Sequence, residues 1–146
     1  MRNFVYITFA LTIITACSNK TIPIGLKSTI KQIDQNLNDT VKYDFKITPE
    51  RIATSKHHFG LGLDIRNEKG LWTRSFIKTY FKLNGINHAD DMSGIILTTY
   101  HRKLNNKPIK FKDQKRFYKE YWKRAKLNDD VFNEWWNSMN SRTERD

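Results

Sequence analysis

Between positions 57 and 101 lie the polar residues whose types suit chemistry: His57, His58, Asp64, Arg66, His88, Asp90, Asp91 and His101. Imidazoles titrate near neutral pH, and a guanidinium grips anions with a planar fork. His58, Arg66, His88 and Asp91 are the candidates for a hydrolytic site, provided folding brings them to one pocket. His88-x-Asp90-Asp91 is the most metal-like local group, because imidazole and carboxylate are common ligands. Its position argues against that role. Aspartates that open a helix cap free N–H groups and complement the dipole. Capping is therefore the expectation for Asp90 and Asp91, and no metal or cofactor is assigned. His58 precedes a glycine-rich stretch and reads as a buried hydrogen-bonding residue. Arg66 and Asn67 read as a turn between helices, with Arg66 paired to Asp90 or Asp91. His101 projects opposite the apolar face of its helix and is expected at the surface. Gly60-x-Gly62 lacks the third glycine, the preceding strand and the Lys-Ser/Thr ending of a phosphate loop. No Ser-His-Asp order, nucleophile elbow or zinc-protease motif occurs.

The stronger signal is electrostatic. The chain carries a net charge of +11, unevenly spread. Residues 101–127 hold eleven Lys and Arg against Asp113 and Glu120, a net +9. Residues 128–146 are acidic, at −3. At about 100° per residue, Lys112, Lys115, Arg116, Lys119, Lys123 and Lys126 share one arc of roughly 100°. Phe111, Tyr118, Tyr121, Trp122 and Ala125 fall on the other side. This is an amphipathic helix with a cationic stripe. Such a stripe suits an anionic lipid, a cell-wall polymer or an acidic protein, and a solvated core helix is the plainer alternative. Phosphate contacts alone would read no sequence, and an exported protein rarely meets nucleic acid.

Export is indicated by the start of the chain. Arg2 is followed by an apolar stretch from Phe4 to Ala16, which ends at Cys17, the single cysteine. A charged start, an apolar run and small residues before a cut describe a secretory signal. The run is too short to cross a bilayer core, which takes roughly 20 apolar residues. Ile14-Thr15-Ala16-Cys17 reads as a lipobox, in which the cysteine receives acyl chains such as palmitate. That assignment also accounts for a cysteine without a disulfide partner. Ser18, with no aspartate beside it, points to the outer membrane on its periplasmic side. The division expected is a signal peptide at 1–16, a lipidated tether at 17–25, a helical domain at 26–140 and a frayed tail at 141–146.

The elements that must position these residues are helical. Removing 1–16 leaves 130 residues, enough for one domain with a modest core. Leu26, Ile30, Ile33 and Leu37 line one helical face. Residues 38–48 are mixed and read as a loop. Thr48-Pro49-Glu50 starts a helix over 49–58 that could reach Arg66, although Gly60 and Gly62 obscure its end. Phe76, Ile77, Tyr80, Phe81 and Leu83 belong to a helix over 74–83, stopped by Asn84-Gly85. A helix capped by Asp90 or Asp91 carries Met92, Ile95, Ile96, Thr99, Tyr100 and Leu104, and Asn105-Asn106-Lys107-Pro108 ends it. The basic helix spans 112–126. Asp129 caps a last helix with Val131, Phe132, Trp135, Trp136 and Met139, where the two tryptophans face opposite sides. The fold class is all-α: a small single-domain bundle of about five to six short helices.

Two segments are distinctive together. One is His58-Phe59-Gly60-Leu61-Gly62, continuing through Ile65-Arg66-Asn67 to Gly70-Leu71-Trp72. The other is Gly85-Ile86, His88 and Asp90-Asp91-Met92-Ser93-Gly94-Ile95-Ile96-Leu97-Thr98, ending in Tyr100-His101-Arg102. They resemble a bacterial domain family of unknown function with HFGLG-x-x-IRN-x-x-GLW and HPDDMSGIIL blocks. Ile22-Pro23 and Tyr118-x-x-Tyr121-Trp122 are similar too, so the resemblance covers about residues 22–123. It implies no activity. The chain departs from the family pattern at Asp64 and Lys69, where an aromatic residue is usual, and at Ala89, where proline is usual. The expectation is therefore an envelope lipoprotein that acts as a binding or accessory module through its basic helix. A small envelope hydrolase is the alternative.

Overall fold

The computed structural model describes residues 21–143. The expected signal peptide, Cys17 and Ser18 to Lys20 lie outside the described residues, as do positions 144–146 of the tail and the side chains of Trp135 and Trp136. Among the described residues there are helices and no strand. In chain order they are α1 (Ile24–Asn36), α2 (Asp39–Ile47), α3 (Glu50–Lys56), α4 (Leu61–Glu68), α5 (Phe76–Leu83), α6 (Ala89–Leu104) and α7 (Phe111–Thr143). The all-α, single-domain architecture is the one expected. Among the described residues the helices number seven, and the last is long rather than short.

α6 is the axle of the bundle. It packs against each of the other described helices. Met92, Ile95, Ile96, Leu97 and Tyr100 are fully buried along it. α1 supplies Leu26, Ile30 and Ile33, α5 supplies Ile77 and Phe81, and α2 supplies Phe45. Each such side chain removed from water contributes about 1.5–3 kcal/mol. Because α2 and α3 pack over this end of α6, the helical projection misplaces His101. That residue is 1 % exposed, not at the surface. Its Nε2 lies 2.9 Å from the Thr48 carbonyl, and its ring meets Phe45 edge-on.

Of residues 38–48, expected as a loop, 39–47 are the helix α2. Asn38 caps it by accepting from the Thr40 N–H at 2.8 Å. α2 buries only Phe45 and leaves Tyr43 and Ile47 exposed, so its apolar periodicity is faint. The helix after Thr48 stops at Lys56, and α4 begins separately at Leu61. Arg66 consequently lies within α4 rather than in a turn.

α4, α5 and α6 end in the same Schellman geometry. After α5, Ile86 N–H reaches the Phe81 carbonyl and Gly85 N–H reaches that of Lys82. Gly85 has φ of +76°, which suits a residue without Cβ. Leu71 and Lys107 close α4 and α6 alike, with Gly70 and Asn106 at positive φ.

α7 is one continuous helix, so Asp129 lies inside it and caps nothing. No glycine or proline interrupts residues 111–143, and polar residues alone do not break a helix. Its 33 residues reach about 50 Å at 1.5 Å per residue.

Candidate functional site

The polar residues of the two distinctive segments meet where α3, α4, α6 and α7 adjoin. At one end is a buried cation. Arg66 is 3 % exposed, and its Nη1 donates to Ser93 Oγ at 2.9 Å and lies 3.2 Å from Asp90 Oδ1. Its Nη2 donates to the His58 carbonyl at 3.3 Å. His58 Nε2 lies 3.5 Å from the same Asp90 oxygen, and Ser93 Oγ donates to the Asp90 carbonyl at 2.8 Å. The expected pairing of Arg66 with Asp90 or Asp91 is thus with Asp90. Trp72 covers the guanidinium, with its ring centroid 5.9 Å from Cζ. This network ties α4 and the turn before it to the first turn of α6.

Asp91 faces the other way and holds α7. It accepts from Trp122 Nε1 at 2.6 Å. The Trp122 ring stacks on His88, with centroids 3.8 Å apart and planes 16° from parallel. Burial pushes the Asp91 carboxyl above the usual carboxylate range, although the Trp122 hydrogen bond and nearby His88 oppose the shift. Tyr118 packs beside it. Burial, with the Asp91 charge adding to it, pushes the Tyr118 phenol up to about 12. A Cβ on Gly94 would overlap Tyr118 Oη, so this close approach of α7 to α6 requires glycine.

Neither aspartate is the N-cap. His88 holds that position without a side-chain cap, and Asp90 and Asp91 sit in the first turn. Their charges still favour the dipole there, but their side chains turn sideways to Arg66 and Trp122.

Two clefts flank this junction. One, of about 200 Å³, lies between the α5–α6 connection and α7 and includes His88, Asp91, Tyr118, Lys119 and Trp122. The other, of about 350 Å³, lies between α3, α6 and α7 and includes His58, Phe59, Asp90, Asp91 and Tyr118. Asp91 and Tyr118 line both, whereas His58 and His88 line one each. Arg66 lines neither. Among the described residues no three His, Cys, Asp or Glu side chains converge as metal ligands do.

The cationic stripe divides into docking and free parts. Lys115 is half-buried: its Nζ donates to Asn84 Oδ1 at 2.7 Å and lies 4.9 Å from the Phe111 ring centroid. Burial lowers its ammonium pKa, and Lys119 and Lys112 add to that. Lys112, Arg116, Lys119, Lys123 and Lys126 are exposed, with Arg116 beside Asp113 at 3.0 Å. Phe111, Gln114 and Tyr118 seat the first turns of α7 on the body. Phe117, Tyr121, Leu127 and Val131 are exposed.

Ser93, Gly94, Trp72 and Tyr118 were not singled out from the sequence as site residues. A small pair inside an apolar helix, Ser93-Gly94, was the available sign of a close approach.

The chain belongs to a family of domains of unknown function, DUF6794, whose model matches residues 22–104. The match takes in α1 to α6 and stops before α7. No curated protein and no solved structure matches the chain.

Proposed function

We propose that this family member is a cell-envelope lipoprotein, acylated at Cys17, and that α7 is its contact arm for an anionic partner. The observation that carries the proposal is the division of labour along α7. Phe111, Gln114 and Tyr118 seat it, Lys115 and Trp122 clamp it, and cationic and apolar side chains beyond remain in water. Lys119, Lys123 and Lys126 alternate with exposed Tyr121, Leu127 and Val131. Basic residues near an anionic surface contribute about 1 kcal/mol each, and exposed aromatic and aliphatic groups add contact area. A lipid anchor would hold the arm near anionic headgroups, cell-wall polymer or acidic envelope proteins. The outer membrane, facing the periplasm, is the location that Ser18 favours.

The hydrolase alternative draws less support. Asp90 is engaged by Arg66, Asp91 by Trp122 and His88 by the Trp122 ring. Those partners give the same residues a positioning role.

Two experiments test the reading. Labelled palmitate should enter the wild-type protein and fail to enter Cys17→Ala; equal labelling refutes the anchor. A cross-linked pull-down of the lipidated protein from its own envelope should capture a partner at low salt and release it at high salt. A catch unchanged by salt refutes the electrostatic contact.

A further inference from the structure

The larger cleft offers more hydrogen-bonding capacity than the protein itself uses. The side chains of Arg51, Ser55, Thr98 and Tyr118 line it, and none makes a hydrogen bond among the described residues. Asp90 and Asp91 each commit one carboxylate oxygen, to Arg66 with His58 and to Trp122 respectively. Their second oxygens have no partner among the described residues. At the rim stands Phe59, 81 % exposed, with its ring held edge-on by His58 at a centroid distance of 4.9 Å. The volume of about 350 Å³ lies in the range of small-ligand sites, about 300–1,000 Å³.

The chemistry of the lining selects a ligand class. Arg66 stands against Asp90, and the guanidinium of Arg51 shares the lining with the Asp91 carboxyl, so no surplus positive charge is offered to phosphate or another anion. Apolar lining comes from Phe59, the Tyr118 ring and the methyls of Thr54 and Thr98, interrupted by Ser55, Asp90 and Asp91, which suits a ligand with both an apolar face and hydroxyl groups better than an acyl chain. An ammonium group would need a free negative charge. Arg66 already stands against Asp90, and Asp91 already accepts from Trp122 with Arg51 in the same lining. These carboxyl groups therefore serve better as acceptors for hydroxyl groups than as counter-ions. Donors and acceptors without net charge, beside an exposed aromatic ring, match a sugar, whose hydroxyls bond sideways and whose C–H face packs on an aromatic ring.

We propose that this cleft binds a neutral sugar unit of a glycan, with Ser55, Thr98, Tyr118 and the aspartate oxygens on its hydroxyls and Phe59 against its ring. The site is independent of the contact surface on α7. The test is isothermal titration of the full lipidated chain in detergent micelles. The probes are an N-acetylglucosamine trisaccharide, maltotriose, an alanyl-alanine dipeptide and inorganic phosphate. Saturable binding of either trisaccharide is the expected result. Ser55→Ala and Phe59→Ala both alter exposed side chains, and each should weaken that binding about fivefold or more, the scale of one hydrogen bond or ring contact. Their unfolding midpoints should match wild type. Binding of the dipeptide or phosphate alone would overturn the assignment to a sugar. So would the absence of saturation with both trisaccharides, or unchanged affinity in a folded Ser55→Ala protein.

Discussion

Removing the acceptor that Asp91 offers Trp122 should loosen α7 while leaving the rest of the bundle closed. The bond is short, 2.6 Å, and Asp91 is buried. A hydrogen bond to a charged group contributes about 1.5–3 kcal/mol. Trp122 is 40 % exposed, so water replaces part of it, and about 1–2 kcal/mol remains. A double-mutant cycle with Asp91→Ala and Trp122→Phe, followed by urea unfolding at pH 7, should return a coupling energy in that range. Phe retains most of the stack on His88 and removes only the N–H. Hydrogen exchange should accelerate in residues 111–126 of either single variant and hardly change in α6. Asp91→Asn keeps an acceptor and isolates the charge. The folded-state pKa of Asp91 is raised, so its contribution is complete below the unfolded value of 3.8 and is lost as pH rises through the folded value. Asp91→Asn should therefore gain on wild type as pH rises from 3 to 7. A coupling near zero, or an Asn variant that loses ground over that interval, would refute the staple.

Three further outcomes follow from the same packing. Arg66→Ala should cost about 2–3 kcal/mol in chemical unfolding, below the 3–5 typical of a fully buried broken pair, because Asp90 can rehydrate. Gly94→Ala should lower stability by about 1–3 kcal/mol through overlap with Tyr118, and the thermal midpoint should fall accordingly. Glu50 is pushed up by burial, but Arg102, bonded at 2.7 and 2.9 Å, outweighs burial and leaves its pKa below 4.5. Its stabilisation is present above pH 4.5 and is lost as pH falls through the lowered value, so Glu50→Gln should flatten the acid limb of a stability profile.

Apolar spacing made α1, α5 and α6 legible, and the Asn-Gly and Asn-Asn stops marked where α5 and α6 end. The pairing of Arg66 with an acid at the head of α6 was legible as well. What the sequence hid depends on surroundings. His101 reads as exposed on an isolated helix, but α2 and α3 close over it. α2 hides because a single residue, Phe45, anchors it. Asp129 looks like a cap because polar residues cluster there, yet nothing in 127–130 forbids a helix. The bond from Trp122 to Asp91 spans 31 positions and depends on the path of α7, which no local pattern encodes.

The most direct test of the contact surface proposed for α7 is retention of the full-length protein on isolated cell envelope, after cross-linking, across a range of ionic strength. Wild type is compared with Lys119→Glu/Lys123→Glu/Lys126→Glu, which changes exposed residues and should preserve the unfolding midpoint. Wild-type capture of its partner should fall as salt rises, because exposed charges are screened beyond about 8 Å at physiological ionic strength. The charge-reversed protein should capture little at any salt. Equal capture by both proteins, with the same salt dependence, would contradict the role assigned to α7.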